Sequence, residues 1–72
     1  MIEYTNSQIS ALIDELIHSK RDRAILKARF IDGTCYEDLS EMFDMSVRQI
    51  KNIVYKQGDR LFRKIESGKK NS

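Results

Sequence analysis

Apolar residues recur three and four positions apart along most of this chain, which is the spacing of one face of an α-helix. The longest run of this kind comprises Ile50, Ile53, Val54, Leu61, Phe62 and Ile65. Proline, which interrupts helices, is absent, and no useful length of chain alternates polar and apolar residues as a strand does. The 72 residues leave room for one modest core. We therefore predict a single all-α domain over residues 1–67 and a flexible polar tail over residues 68–72.

Two helices are predicted in the N-terminal half of the chain. The first covers about residues 7–18 and has Asn6 or Ser7 as its N-cap. The second begins after Ser19 and stops at Gly33, a residue suited to the left-handed position that ends many helices. A single kinked helix in place of these two remains the alternative.

A short third helix is predicted from Cys35 to about Phe43. Thr34 and Glu37 precede and open it as a T-x-x-E capping box. Its inward-facing residues are expected to be Leu39, Met42 and Phe43.

The fourth helix is predicted to begin at a second capping box, formed by Ser46 and Gln49. Gly58 falls on its apolar stripe, where a glycine permits close approach of another helix but costs about 1 kcal/mol relative to alanine. One long helix to about Ser67 is therefore expected, and a break at Gly58 is the alternative.

The third and fourth helices follow one another as the two helices of a helix-turn-helix do. Ser40 is the small residue expected where the helices cross, and Met45 is the apolar plug expected in the turn. Asp44, in the turn, is of a residue type that tolerates the left-handed conformation better than most residues other than glycine. In this motif the second helix, here about residues 46–56, enters the major groove of DNA.

The charges of the chain are unevenly distributed. Residues 1–45 hold five basic and nine acidic residues, a net charge of −4, whereas residues 46–72 hold eight basic and two acidic residues, a net charge of +6. The overall charge of +2 hides this asymmetry, which favours a polyanionic partner for the C-terminal part. A solvated helix whose charges keep the domain soluble is the alternative explanation.

The segment from Arg21 to Phe62 resembles region four of bacterial sigma factors, over about 42 of the 72 residues. The features that carry the resemblance are Arg21-x-Arg23, Ile25-Leu26-x-Ala28-Arg29-Phe30, Asp32-Gly33, Tyr36-Glu37-x-Leu39, Met45-Ser46, Ile50-Lys51 and Leu61. The whole chain is also similar to small stand-alone regulators of this type from Firmicutes and their mobile elements.

The resemblance implies a four-helix, tetrahelical helix-turn-helix domain that binds promoter-like DNA. It also implies that Tyr36 lies near a phosphate. The sequence departs from the family at Asp44, where many relatives have Gly. It also has no counterpart of region two, which opens the promoter, so we do not expect a complete sigma factor.

The predicted contacts with DNA divide into two sets. The residues expected to face bases are Ser46, Val47, Arg48, Gln49, Lys51 and Asn52. The residues expected to contact phosphates are Tyr36, Tyr55, Lys56 and Arg60. Arg48 is the best candidate for a bidentate contact with guanine, Gln49 or Asn52 could pair with adenine, and Val47 could touch a thymine methyl group. Capping and simple solvent exposure are the alternatives for Arg48 and Gln49.

Other classes of site find little support in the sequence. His18 and Cys35 have no partners spaced for zinc, and no third group would orient them as a nucleophilic pair. We therefore expect neither an enzyme nor a cofactor. One cysteine, no leader sequence and no run of about 20 apolar residues favour a cytoplasmic protein without a membrane partner.

The sequence thus predicts a sequence-specific DNA-binding transcriptional regulator whose partner is double-stranded DNA. The alternative is a protein-interaction module that binds RNA polymerase or another regulator, with Asp14, Glu15 and Asp22 as an acidic face. The oligomeric state stays open. A homodimer would form through the first helix or through apolar residues near Ile2 and Tyr4.

Overall fold

A computed structural model describes residues 4–70, and the side chains of residues 4–65. The described chain folds into four helices and contains no strand: α1 is Asn6–Leu16, α2 is Lys20–Phe30, α3 is Tyr36–Phe43 and α4 is Val47–Lys70. The all-α prediction is confirmed, and the N-terminal half forms two helices rather than one kinked helix. The predicted contribution of Ile2 to pairing lies outside the described residues.

The first helix begins one residue earlier than predicted, because its N-cap is Thr5 rather than Asn6 or Ser7. Thr5 Oγ1 accepts the Gln8 N–H at 3.1 Å, and Gln8 Oε1 accepts the Thr5 N–H at 2.8 Å. This reciprocal box satisfies two backbone donors at once, which neither predicted cap would do. The helix ends at Leu16, two residues before its predicted end.

Arg23 of α2 stabilises the chain that follows α1. Its Nε donates to the Ile17 carbonyl at 2.6 Å and its Nη2 donates to the His18 carbonyl at 3.0 Å. The last turn of α1 contains no basic residue of its own. The guanidinium therefore brings positive charge and two donors to the negative end of α1 from a different helix.

The predicted start of α2 is confirmed, whereas its end comes earlier than predicted. Ser19 is the N-cap, and its hydroxyl accepts the Asp22 N–H at 3.4 Å. Gly33 has φ of 71°, the left-handed conformation expected of it, although the regular helix already ends at Phe30. The Thr34 N–H then donates to the Ala28 carbonyl at 3.0 Å and folds the chain back on α2.

The predicted capping box before α3 is wrong. The N-cap is Cys35, which makes no side-chain capping bond, and the helix begins at Tyr36. Thr34 lies outside α3 because its backbone is bound to α2: besides its N–H bond, its carbonyl accepts from Arg29 Nη1 at 3.1 Å. The capping role predicted for Glu37 is therefore not filled.

Only part of the predicted inward face of α3 is buried. Leu39 is fully buried and Phe43 is partly buried, but Met42 is 62% exposed, so its predicted inward position is wrong. A short helix buries a single narrow stripe. Leu39 and Phe43, four residues apart, form that stripe and leave Met42 at its edge.

One continuous helix of 24 residues, α4, completes the fold, so the alternative of a break at Gly58 is wrong. The predicted capping box at its start is confirmed. The Gln49 N–H donates to Ser46 Oγ at 3.1 Å, and the Ser46 N–H donates to Gln49 Oε1 at 3.0 Å. The helix extends past Ser67 to Lys70, so residues 68–70 have a helical backbone. Residues 71–72 of the predicted tail lie outside the described residues.

The core lies where α4 packs on the other three helices. Its buried apolar residues are Ile13, Ile17, Ile25, Leu26, Ala28, Leu39, Ile50, Val54 and Leu61. Gly58 provides the close approach expected of it, since an added Cβ would lie 3.3 Å from Phe30 Cζ. Phe62 was predicted to face inward but is 53% exposed, and its ring meets the edge of Phe30 at a centroid distance of 5.9 Å. It lies at the margin of the stripe, where Phe30 covers one side only.

Candidate nucleic-acid interface

The turn between α3 and α4 is bound back to the middle of α3. Asp44 adopts the left-handed conformation with φ of 54° and ψ of 49°, so the turn forms without a glycine at this position. The Met45 N–H donates to the Ser40 carbonyl at 3.0 Å, and the Ser40 hydroxyl donates to the Met45 carbonyl. Met45 itself packs against the core, as expected of the plug. These contacts fix where α4 starts relative to α3.

Two of the predicted base-contacting residues form the cap of α4. Ser46 and Gln49 exchange the hydrogen bonds of the capping box, so both side chains already have partners in the free protein. A bidentate pair with adenine needs both the oxygen and the nitrogen of an amide. Because the Gln49 oxygen is used by the Ser46 N–H, Asn52 is the better candidate for adenine.

The remaining base-contacting candidates differ in exposure. Arg48, Lys51 and Asn52 are exposed on the first turns of α4, whereas Val47 is partly buried. A partly buried valine offers less surface to a thymine methyl group than the sequence suggests. Arg48, Lys51 and Asn52 are therefore the more accessible of the predicted base-contacting residues.

Successive residues advance around a helix by about 100°, which places the exposed candidates from Arg48 to Arg60 on an arc of about 180° around α4, with Val47 outside it. Arg48 and Asn52, four residues apart, lie near the centre of this arc. Lys51 lies at one edge, beside α3, and Arg60 lies at the other edge, with Lys56 close to it. A helix in a groove needs this order, because its centre faces bases while its flanks face phosphates.

A cluster of two cations and one ring forms where α2, α3 and α4 meet. The Arg29 guanidinium carbon lies 4.5 Å from the centroid of the Tyr36 ring, and Lys51 Nζ lies 5.5 Å from it. Tyr36 is partly buried, and Arg29 is also fixed by its bond to the Thr34 carbonyl. We call these three residues the Tyr36 cluster. It directs two positive charges to one edge of the arc.

The DNA contacts predicted from the sequence do not include Arg29. It belongs to the Ala28-Arg29-Phe30 segment that carries the resemblance, but no spacing rule places it beside Tyr36. The contact arises only because the left-handed turn at Gly33 folds α3 back on the end of α2.

The phosphate candidates on the later turns of α4 are exposed. Tyr55 has 62% of its surface exposed, and Lys56 and Arg60 are exposed as well. Beyond Tyr55 the same side of the helix carries Asp59, whose carboxylate pairs with Arg63 at 2.9 Å. Beyond Tyr55 the Asp59–Arg63 pair carries no net charge, so the positive charge of these later turns comes from Lys56 and Arg60.

The described residues offer little for other kinds of site. Between residues 4 and 70, no three residues among His, Cys, Asp and Glu come together as a metal site would require. Cys35 is a free, exposed thiol. Over the same span no helix has the length and apolar character needed to traverse a bilayer.

Comparisons with models of known protein families, with curated proteins and with solved structures find no match to this chain.

Proposed function

We propose that this protein is a sequence-specific DNA-binding transcriptional regulator whose α4 enters the major groove with residues 46–56. The observation that carries the proposal is the exposed arc centred on Arg48 and Asn52, at the start of a helix that a bound turn holds in place. The resemblance to sigma region four also supports placing α4 in the major groove. The assignment of the fold as a tetrahelical helix-turn-helix domain belongs to this proposal. We also propose that the protein acts in the cytoplasm of a bacterium.

Binding would combine a charge contribution with a base-reading contribution. Arg29, Lys51, Lys56 and Arg60 would neutralise phosphates, and four such contacts give a slope of log affinity against log salt of about −3 to −4. Arg48 with guanine and Asn52 with adenine would each discriminate by about 1–3 kcal/mol. The first contribution is independent of sequence, and the second supplies the specificity.

The alternative is an interaction module that binds RNA polymerase or another regulator. Its expected acidic face is diminished, because Asp22 is buried and Asp14 pairs with Lys27 Nζ at 2.8 Å. The feature that favours this alternative is an apolar groove of about 360 Å³ between α1 and α4, lined by Tyr4, Ala11, Leu12 and Ile65 among others. A homodimer would use the same surface.

The test is a titration of the protein with random-sequence duplex DNA at about 50 and 200 mM salt. Selection of bound sequences from a random pool follows. Lys64→Ala serves as the control, because Lys64 is exposed on the groove between α1 and α4 and lies off the arc. We expect affinity that falls steeply with salt, an enriched sequence motif and little change in the control. Absence of binding at both salt concentrations would reject DNA binding and favour the interaction module.

A further inference from the structure

A buried polar contact joins the start of α2 to the middle of α4. Asp22 is 7% exposed, the one charged residue among the described side chains that is buried. Its Oδ2 accepts from Gln57 Nε2 at 3.0 Å, across 35 residues of sequence. We call this contact the Asp22–Gln57 pair. It lies outside the DNA-facing arc.

The position of Gln57 is unusual for its residue type. It lies on the apolar stripe of α4, seven residues after Ile50 and four before Leu61, and it is partly buried there. Its Oε1 is buried and has no hydrogen-bond partner among the described residues. A buried acceptor without a partner lowers stability, and a well-packed apolar residue at this position would avoid that cost.

The other end of the contact is held firmly. Asp22 lies in the first turn of α2, where the helix dipole favours a carboxylate, and its N–H is bound to the Ser19 cap. Arg21 Nε lies 3.4 Å from Asp22 Oδ1. Because Asp22 is buried and its backbone is part of the first turn of α2, its carboxylate presents an acceptor to α4 from a defined position.

The hydrogen bond of the Asp22–Gln57 pair is directional, so it constrains the rotation of α4 about its axis in a way that apolar contacts do not. Apolar packing is non-directional, so the aliphatic stripe of α4 restricts small rotations about the helix axis less sharply than a hydrogen bond does. A rotation of about 20° moves a side-chain tip that lies about 6 Å from the axis by roughly 2 Å. That displacement exceeds the range of hydrogen-bond lengths, so it would break a base contact at Arg48 or Asn52.

From these observations we infer that the Asp22–Gln57 pair is a positioning device that fixes the rotation of α4 against α2 and so aligns Arg48 and Asn52 with base edges. The inference rests on the proposed DNA-binding function. By this inference, the pair helps the protein to discriminate between DNA sequences and does not serve the stability of the fold.

The experiment compares two double variants with wild type. In the apolar variant, Asp22→Leu with Gln57→Met, the hydrogen bond is lost and side chains of similar length and branching remain. In the exchanged variant, Asp22→Asn with Gln57→Glu, an amide on α2 donates to a carboxylate on α4, so a directional contact is kept. Each protein is examined by thermal unfolding, by residual dipolar couplings of the free protein and by affinity for a selected and a base-scrambled duplex.

The apolar variant should unfold at or above the wild-type temperature. Its couplings should report a changed or averaged angle of rotation of α4 about its own axis, relative to α2. Its preference for the selected duplex should fall at least tenfold, while affinity for the scrambled duplex stays the same. The exchanged variant should recover both the angle and the preference.

Two results would overturn the inference. One is an apolar variant with the wild-type angle and preference, and the other is an apolar variant that fails to fold, since the contact would then serve stability. If wild type shows no preference among duplexes, the proposed function fails, and the couplings of the free proteins still decide whether the pair sets the angle.

Discussion

Ser40 and Met45 exchange two hydrogen bonds across the turn that precedes α4. The Met45 N–H donates to the Ser40 carbonyl at 3.0 Å, and the Ser40 hydroxyl donates to the Met45 carbonyl. The first bond is the 6→1 bond that commonly closes a helix with a left-handed residue, here Asp44. The second bond depends on the side chain alone, so a substitution removes it without changing the backbone requirement.

Ser40→Ala should lower the free energy of unfolding by about 1 kcal/mol, because the partly buried Met45 carbonyl loses a donor. It should also weaken DNA binding, since the start of α4 becomes less well fixed. Urea unfolding and duplex titration measure the two effects. Ser7→Ala, at an exposed position of α1, is the matched control and should change neither quantity. Equal stability of the two variants would contradict the role of the hydroxyl.

Arg48→Ala and Lys56→Ala should affect DNA binding differently. Arg48 lies at the centre of the arc, so its loss should relax the sequence preference at one base pair and cost about 1–3 kcal/mol on the preferred duplex. Lys56 lies on the flank, so its loss should weaken all duplexes alike and reduce the salt slope by about one. Selection from a random pool and salt titrations separate the outcomes. If both variants bind every duplex as wild type does, α4 does not face DNA with this arc.

Two substitutions of Tyr36 distinguish a phosphate contact from a role in holding cations. Tyr36→Phe retains the ring beside Arg29 and Lys51 and removes only the hydroxyl. If the ring positions the cations, Tyr36→Phe should bind duplex DNA as wild type does, and Tyr36→Leu should bind several-fold more weakly at low salt. Equal loss in both variants would instead assign the hydroxyl to a phosphate, as the resemblance implies.

Much of the fold follows from local chemistry that the sequence displays. The caps at Ser19 and Ser46 need only residues within three positions of each other, and the left-handed residues at Gly33 and Asp44 reflect intrinsic backbone preferences. These signals delimit four helices without knowledge of how the helices pack. They fail where a tertiary contact uses the same group, as at Thr34, whose backbone is bound to α2.

The parts that the sequence does not predict depend on packing between helices. Periodicity identifies an apolar face but not its width, and for this reason Met42 and Phe62 were wrongly placed inside. The contact of Arg29 with Tyr36 requires the path of an intervening turn. The contact of Asp22 with Gln57 joins residues 35 positions apart. A glutamine in the core register of α4 is the one signal that could have indicated the second contact.

Arg23→Met should lower stability because two carbonyls after α1 lose their donor. One of the two bonds is exposed, so a loss of about 1.5 kcal/mol is expected, the lower end for hydrogen bonds to charged groups. Arg23→Lys should recover little of this, since a single ammonium cannot reproduce the planar fork. Urea unfolding measures both variants. Lys20→Met, an exposed charge removed from the same helix, should have a small effect, and a comparable loss there would point to net charge instead of the capping bonds.

Gly58→Ala should stabilise the protein, although Gly58 lies at a close contact. Alanine is favoured over glycine inside a helix by about 1 kcal/mol. The new Cβ would lie 3.3 Å from Phe30 Cζ, which is the far end of a partly exposed side chain and can move by a few tenths of an ångström. We therefore expect a higher midpoint of thermal unfolding for Gly58→Ala and a lower one for Gly58→Val, whose branches would displace the ring further.

Gly33→Ala provides the contrast: no atom lies within 4 Å of its added Cβ, but its φ of 71° costs an L-residue about 1–2 kcal/mol. A lower midpoint for Gly58→Ala would show that Phe30 is held too firmly to move, and that the glycine is required by packing.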